Sequence, residues 1–177
     1  MSAGETGGYN LTVETLAFLN DNWDTAASNV GETWDVPVLR NHVEKALYPG
    51  GELTDYTARL RNNDVITVGK ASRTDTPTGT EFDFDVTKEL DVRVEAMPGN
   101  GFSVIEDSTD WERFVTISRE AILIDRQKPS TDPNCRWDWR WITITNEAPL
   151  PETVGNRNHY GVEYSVQYNG YESLYPL

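Results

Sequence analysis

The chain has 177 residues, enough for one domain with a real core and no need of disulfides or a structural metal. Its 29 acidic and 15 basic side chains leave a formal charge of −14, a field that repels phosphate and argues against adhesion to DNA or RNA. No run approaches the roughly 20 apolar residues of a membrane span, and Met1-Ser2-Ala3-Gly4-Glu5 lacks the basic-then-apolar order of a secretory signal.

Residues 1–10 are Gly-rich and polar, and read as a flexible lead-in to a single domain over 11–177. Asn10-Leu11-Thr12 matches a glycosylation sequon, a pattern that arises often by chance. Thr12 is placed to cap a helix, with Glu14 at the positive end of its dipole. Val13, Leu16, Leu19, Trp23 and Ala27 then recur at helical spacing, and the helix should end before Gly31. Residues 36–48 fit either a strand (Val36, Val38) or a helix (Leu39, Val43, Leu47), closed by Tyr48-Pro49-Gly50-Gly51.

The middle of the chain reads as β. Val65 and Thr67 make a short strand, and the turn-rich stretch 71–80 looks like an exposed hairpin tip. Phe82, Phe84, Val86, Leu90, Val92, Val94 and Ala96 fall on one parity; Glu81, Asp83, Asp85, Glu89, Asp91, Arg93 and Glu95 fall on the other. That alternation predicts a long strand with one face buried and the other wet. The two stretches flank a hairpin with 71–80 at its tip.

Asp107, Ser108 and Asp110 are candidate caps for a helix to about Arg126, which carries Trp111, Phe114, Val115, Ala121 and Ile122 inward and is closed by Lys128-Pro129. From Arg136 to Asn146 the chain alternates again. Trp137, Trp139 and Trp141 should share one face, as core, protein interface or sugar-stacking platform, with Ile142 and Ile144 on the other. Residues 147–158 make a polar connection. Tyr160, Val162, Tyr164, Val166 and Tyr168 then form a last strand facing the core. The expected class is α+β: a mostly antiparallel sheet with two main helices packed on one face.

Little in the sequence points to chemistry. There is no phosphate-binding glycine loop, no nucleophile elbow and no zinc-protease helix motif. His42 and His159 are the only histidines, and His42-Val43-Glu44 is too sparse for a metal site. The single Cys135, beside Arg136, reads as a passive thiol. Asp83 and Asp85 share a strand face, but in an almost wholly acidic row that reads as solvated surface. The expectation is a protein that is not an enzyme, with no cofactor and no membrane partner. The balance of 11 Arg to 4 Lys, with acidity spread along the chain, fits a protein working in molar salt, where screening shortens the Debye length to about 3 Å at 1 M.

The order of elements resembles the tail-terminator and neck proteins of long-tailed viruses, in particular those of haloarchaeal viruses. The resemblance is carried by the opening LTVETLAFLNDNW, the strand in RNNDVITVG, the TEFDFD…ELDVRVEA strand, the WERFVTISREAILIDR helix and the closing HYGVEYSVQYNGY. It implies a homo-oligomeric ring, usually a hexamer, made in the host cytoplasm and built into the virion at the head-tail junction, with a long hairpin arm around 65–86 on which Arg73, Asp75, Thr78, Glu81, Asp83 and Asp85 are candidate contact residues. Its implied partners are the tail tube protein and the head-side connector protein, with genome DNA passing through the lumen unbound. Another neck protein, for head completion or as an adaptor, is the sibling reading. A β-rich glycan-binding or surface-binding module around the three tryptophans is the alternative of a different class.

Overall fold

A computed structural model describes residues 11–41, 63–78, 83–99, 101–127, 137–150, 153–154 and 157–173. The expectations for the 1–10 lead-in, His42, residues 42–48, Glu81, Phe82, Lys128-Pro129 and Cys135 lie outside these residues. The fold is α+β, in the order α1 (Leu11–Asn29), β1 (Val38–Asn41), β2 (Val65–Val68), β3 (Ser72–Pro77), β4 (Asp83–Ala96), α2 (Ser108–Leu123), β5 (Trp137–Pro149), β6 (Thr153–Val154), β7 (Arg157–Asn158) and β8 (Tyr160–Ser173). Six strands form one sheet in the order β1-β2-β4-β8-β5, with β3 continuing the β2 edge against β4; β6 and β7 form a separate two-stranded ladder. All pairings are antiparallel except β1 with β2.

The two longest strands lie at the centre and pair along their whole length, from Asp83↔Ser173 to Ala96↔Tyr160. Their facing side chains Val86, Leu90, Val92, Val94, Ala96, Val162, Tyr164, Val166 and Tyr168 are buried, as the alternation predicts. Both helices cover this one face. The Thr15 hydroxyl donates to the Leu11 carbonyl, leaving its oxygen to accept from Tyr168 at 2.6 Å. Ser118 likewise donates to Val115 O and receives Tyr164 at 3.1 Å. The helices meet through an edge-on contact of Trp23 with Phe114, centroids 5.3 Å apart, and through Asn22, which donates to Ala121 O.

Helix ends follow their local chemistry. Beyond α1, Gly31 takes φ +79°, Glu32 N–H donates to Ala27 O and Gly31 N–H to Ser28 O, so a left-handed residue satisfies the last carbonyls. At α2, Asp107 accepts from Asp110 N–H while Asp110 accepts from Glu106 N–H, a reciprocal cap. Thr12, in contrast, does not cap α1: it lies inside the helix, buried, and donates to Gly69 O at 2.7 Å. Of the expected stripe of α1, Leu19, Trp23 and Ala27 are buried and Leu16 packs against the core, whereas Val13 is 55% exposed; Leu11, Thr15, Phe18 and Ala26 complete the buried face.

The hairpin arm is built into the sheet. Gly69, Lys70 and Ala71 oppose only Leu90 and Asp91, so β2 and β3 form one bulged strand against β4. Residues 72–77, expected at the tip, are therefore strand, and β4 carries β8 on its other edge.

Candidate functional site

Two surfaces concentrate the exposed polar chemistry: the sheet face that no described helix covers, and the β3 edge. On the helix-free face the odd-numbered residues of β4 meet β8 and β5 in rows. Arg93 donates to Glu163 from Nε and Nη2 at 3.1 and 2.9 Å. Ser165 donates to Asp91 at 3.0 Å and Gln167 to Glu89 at 3.0 Å. Thr87 donates to Asn169 at 3.2 Å, and Asn169 passes its own amide hydrogen to Thr143 at 3.3 Å. This is a cross-strand polar ladder, beside which the buried hydroxyls of Thr67, opposite Arg93, and Thr145, opposite Ser165, have no hydrogen-bond partner among the described residues.

The expected wet row ends early. Glu95 is 2% exposed and its carboxylate lies 3.0 Å from Nε2 of His159, itself 4% exposed. Val65 and Met97 are buried beside this end of the face and pack with Val38. Neighbouring Asp64 accepts from the Ser103 hydroxyl at 2.7 Å and from Val104 N–H at 3.0 Å, pinning the loop that leads to α2. Burial pushes its carboxyl above the ordinary 3.8, against the lowering effect of those two donors. Parity alone could not mark Glu95 as buried, and an isolated histidine carries no sign of its partner.

The three tryptophans do not share a face, which corrects the stacking-platform expectation. The β5–β8 register shifts between Trp139 and Trp141, because Arg140 is the extra residue of a bulge. Trp139 therefore faces the helices, 2% exposed, edge-on to Phe18 and Tyr168. Trp141 emerges on the helix-free face, 49% exposed, opposite Asn169. Ile142 is then brought to the core side with Trp139, against the expected alternation. The side chain of Trp137 lies outside the described residues. A second bulge follows Thr145, where Asn146 takes φ 56°, a left-handed conformation that asparagine tolerates.

The charged candidates also divide. Arg73 and Asp75 pair at 2.6 Å on the outermost strand, with every β3 residue exposed. By register they fall on the helix side of the sheet, with Lys88 and Val86 opposite. Asp85 is exposed on the helix-free face, opposite Thr76. Thr78 follows β3 and is exposed, Asp83 opens β4 with its side chain outside the described residues, and Glu81 lies outside them. The hairpin thus presents two chemically different sides. Among the described residues no cluster of three His, Cys, Asp or Glu side chains could hold a metal, and no helix is long and apolar enough to cross a membrane. Comparison with protein-family models and with curated proteins finds no match.

Proposed function

We propose that this chain is a virion structural protein of the head-tail junction, most specifically a tail terminator whose copies assemble into a ring on the tail tube and meet the head-side connector. The observation that carries the reading is the helix-free sheet face. Arg93 with Glu163, Asp91 with Ser165 and Glu89 with Gln167 are hydrogen-bonded across its strands, and Asp85, Glu89, Asp91 and Glu163 outweigh Arg40 and Arg93 there. An acidic face repels a phosphate backbone, which suits a lumen that DNA must traverse without sticking. Trp141, a half-exposed aromatic on edge strand β5, supplies an anchor for the neighbouring subunit. With Trp139 buried and Trp141 on the opposite face, the three tryptophans cannot form one sugar platform, which favours the structural reading over the glycan module.

The test is the solution mass in molar KCl by light scattering after size exclusion, with negative-stain imaging of the peak, for wild type and Trp141→Ala. The reading expects a closed ring for wild type and its loss in the variant, with the fold retained. Particles of only one or two chains at every concentration overturn it, and a sugar-binding screen then becomes the next experiment.

A further inference from the structure

We propose that β3 pairs antiparallel with β3 of a second copy, about a two-fold axis at Thr74, joining two sheets edge to edge. Among the described residues β4 is the only ladder partner of β3, and all six of its residues are exposed. An edge of this kind presents alternate backbone N–H and C=O groups outward, the main-chain half of a strand-addition site.

The side chains name the occupant. Centred on Thr74, an antiparallel register sets Arg73 opposite the second copy's Asp75, and Asp75 opposite its Arg73. The residues between them, Ser72, Thr74 and Thr76, fall on the other face and meet as Ser–Thr, Thr–Thr and Thr–Ser. Charge pairs on one side and hydroxyl pairs on the other are both favourable cross-strand combinations. Protective edges work the other way: they place like charges, commonly lysines, where two copies would collide. β3 carries one charge of each sign and is locally neutral on a chain of net charge −14, so two copies can approach here against the general repulsion.

The edge strand on the far side of the sheet, β5, fits less well. Arg140 stands two positions after Asp138 on β5, as Asp75 stands two after Arg73. In an antiparallel β3–β5 register with Thr74 opposite Trp139, Arg73 meets Arg140 and Asp75 meets Asp138, and the Arg140 bulge interrupts the ladder besides. Self-pairing gives an isologous contact, which closes after two copies. A two-fold contact does not build a ring by itself. Added to the ring of the proposed function it joins two rings face to face; without a ring it gives a dimer.

The test compares masses by light scattering for wild type, Arg73→Asp, Asp75→Arg and the double exchange Arg73→Asp/Asp75→Arg, at the lowest KCl that preserves the near-ultraviolet dichroism. Each single exchange puts like charges opposite each other twice and should halve the particle mass, or raise the concentration for pairing about tenfold or more. Mixing the two single variants restores complementary pairs and the wild-type mass, as does the double exchange. Because these side chains are exposed, near-ultraviolet dichroism should match wild type in all of them. A double ring that the single exchanges split into single rings supports the pairing together with the ring, and a dimer that splits to monomers supports the pairing and removes the ring. A single ring indifferent to the exchanges overturns the pairing and leaves the ring standing. A monomeric wild type overturns both.

Discussion

Replacing Trp139 by alanine and, separately, Trp141 by alanine makes the sharpest test of the bulge at Arg140. The two residues are two positions apart in one strand, yet one is 2% exposed and the other 49%. Trp139 packs edge-on against Phe18 and Tyr168, centroids 6.2 and 5.5 Å away, so its removal opens a cavity bounded by α1 and β8. A buried tryptophan truncated to alanine costs about 3–5 kcal/mol, whereas a surface substitution usually stays within about 0.5 kcal/mol. For a chain of this length, about 2–4 °C of melting temperature goes with each kcal/mol. Trp139→Ala should therefore melt roughly 6–20 °C below wild type and Trp141→Ala within a few degrees of it. The assay is urea and thermal unfolding followed by far-ultraviolet dichroism in molar KCl, at a protein concentration low enough that light scattering finds single chains for wild type and both variants, because assembly couples to stability. Equal losses for the two variants, or a Trp139→Ala cost below about 1 kcal/mol, would refute the placement of the bulge.

Three further outcomes follow from the same geometry. Tyr168→Phe removes the hydroxyl that Thr15 receives inside the core but leaves Thr15 bonded to Leu11 O, so chemical denaturation should show a loss of about 1 kcal/mol. Asp64 has a folded pKa above its unfolded one, so the folded state binds the proton more tightly. Wild-type stability relative to Asp64→Asn should then increase as pH falls through the raised pKa and level off below the ordinary 3.8; a trend in the opposite direction shows that the Ser103 and Val104 donors dominate. Lowering KCl from molar to about 0.1 M lengthens the Debye length to about 10 Å and exposes a chain of net charge −14 to its own repulsion. The melting temperature should fall continuously, and a value unchanged by salt contradicts the adaptation to brine read from composition.

The sheet was legible where one physical rule acts alone. Along β4 and β8 the alternation of apolar and polar residues coincides with burial almost residue by residue, since a regular pleat turns parity into face. The Asp107 cap was legible for the same reason, being local chemistry. Legibility failed where a tertiary contact overruled the pattern. Thr12 reads as a cap until Gly69 is brought beside it; Val13 reads as core until the sheet fixes the rotation of α1. The tryptophans of β5 failed most instructively. A single extra residue reverses the face of everything after it, and Trp-Arg-Trp carries no glycine or proline to announce the bulge. The candidate surface was thus half readable: the acidic row of β4 was visible, whereas the amide and hydroxyl partners that complete it come from strands remote in sequence.

The central pairing of β4 with β8 has a consequence for how the chain reaches this state. The hairpin of β2 and β3 with β4 is local and can close early, but Ala96 must find Tyr160 and Asp83 must find Ser173 only after α2 and β5 have been made. Closure over such separations is entropically costly, and topologies dominated by it fold slowly. Until β8 arrives, the longest ladder of the protein waits with one side unmade. The acidic residues of β4 that line the helix-free face also keep that strand soluble in any chain in which β8 has not yet paired with it, a gatekeeping use of the same charges.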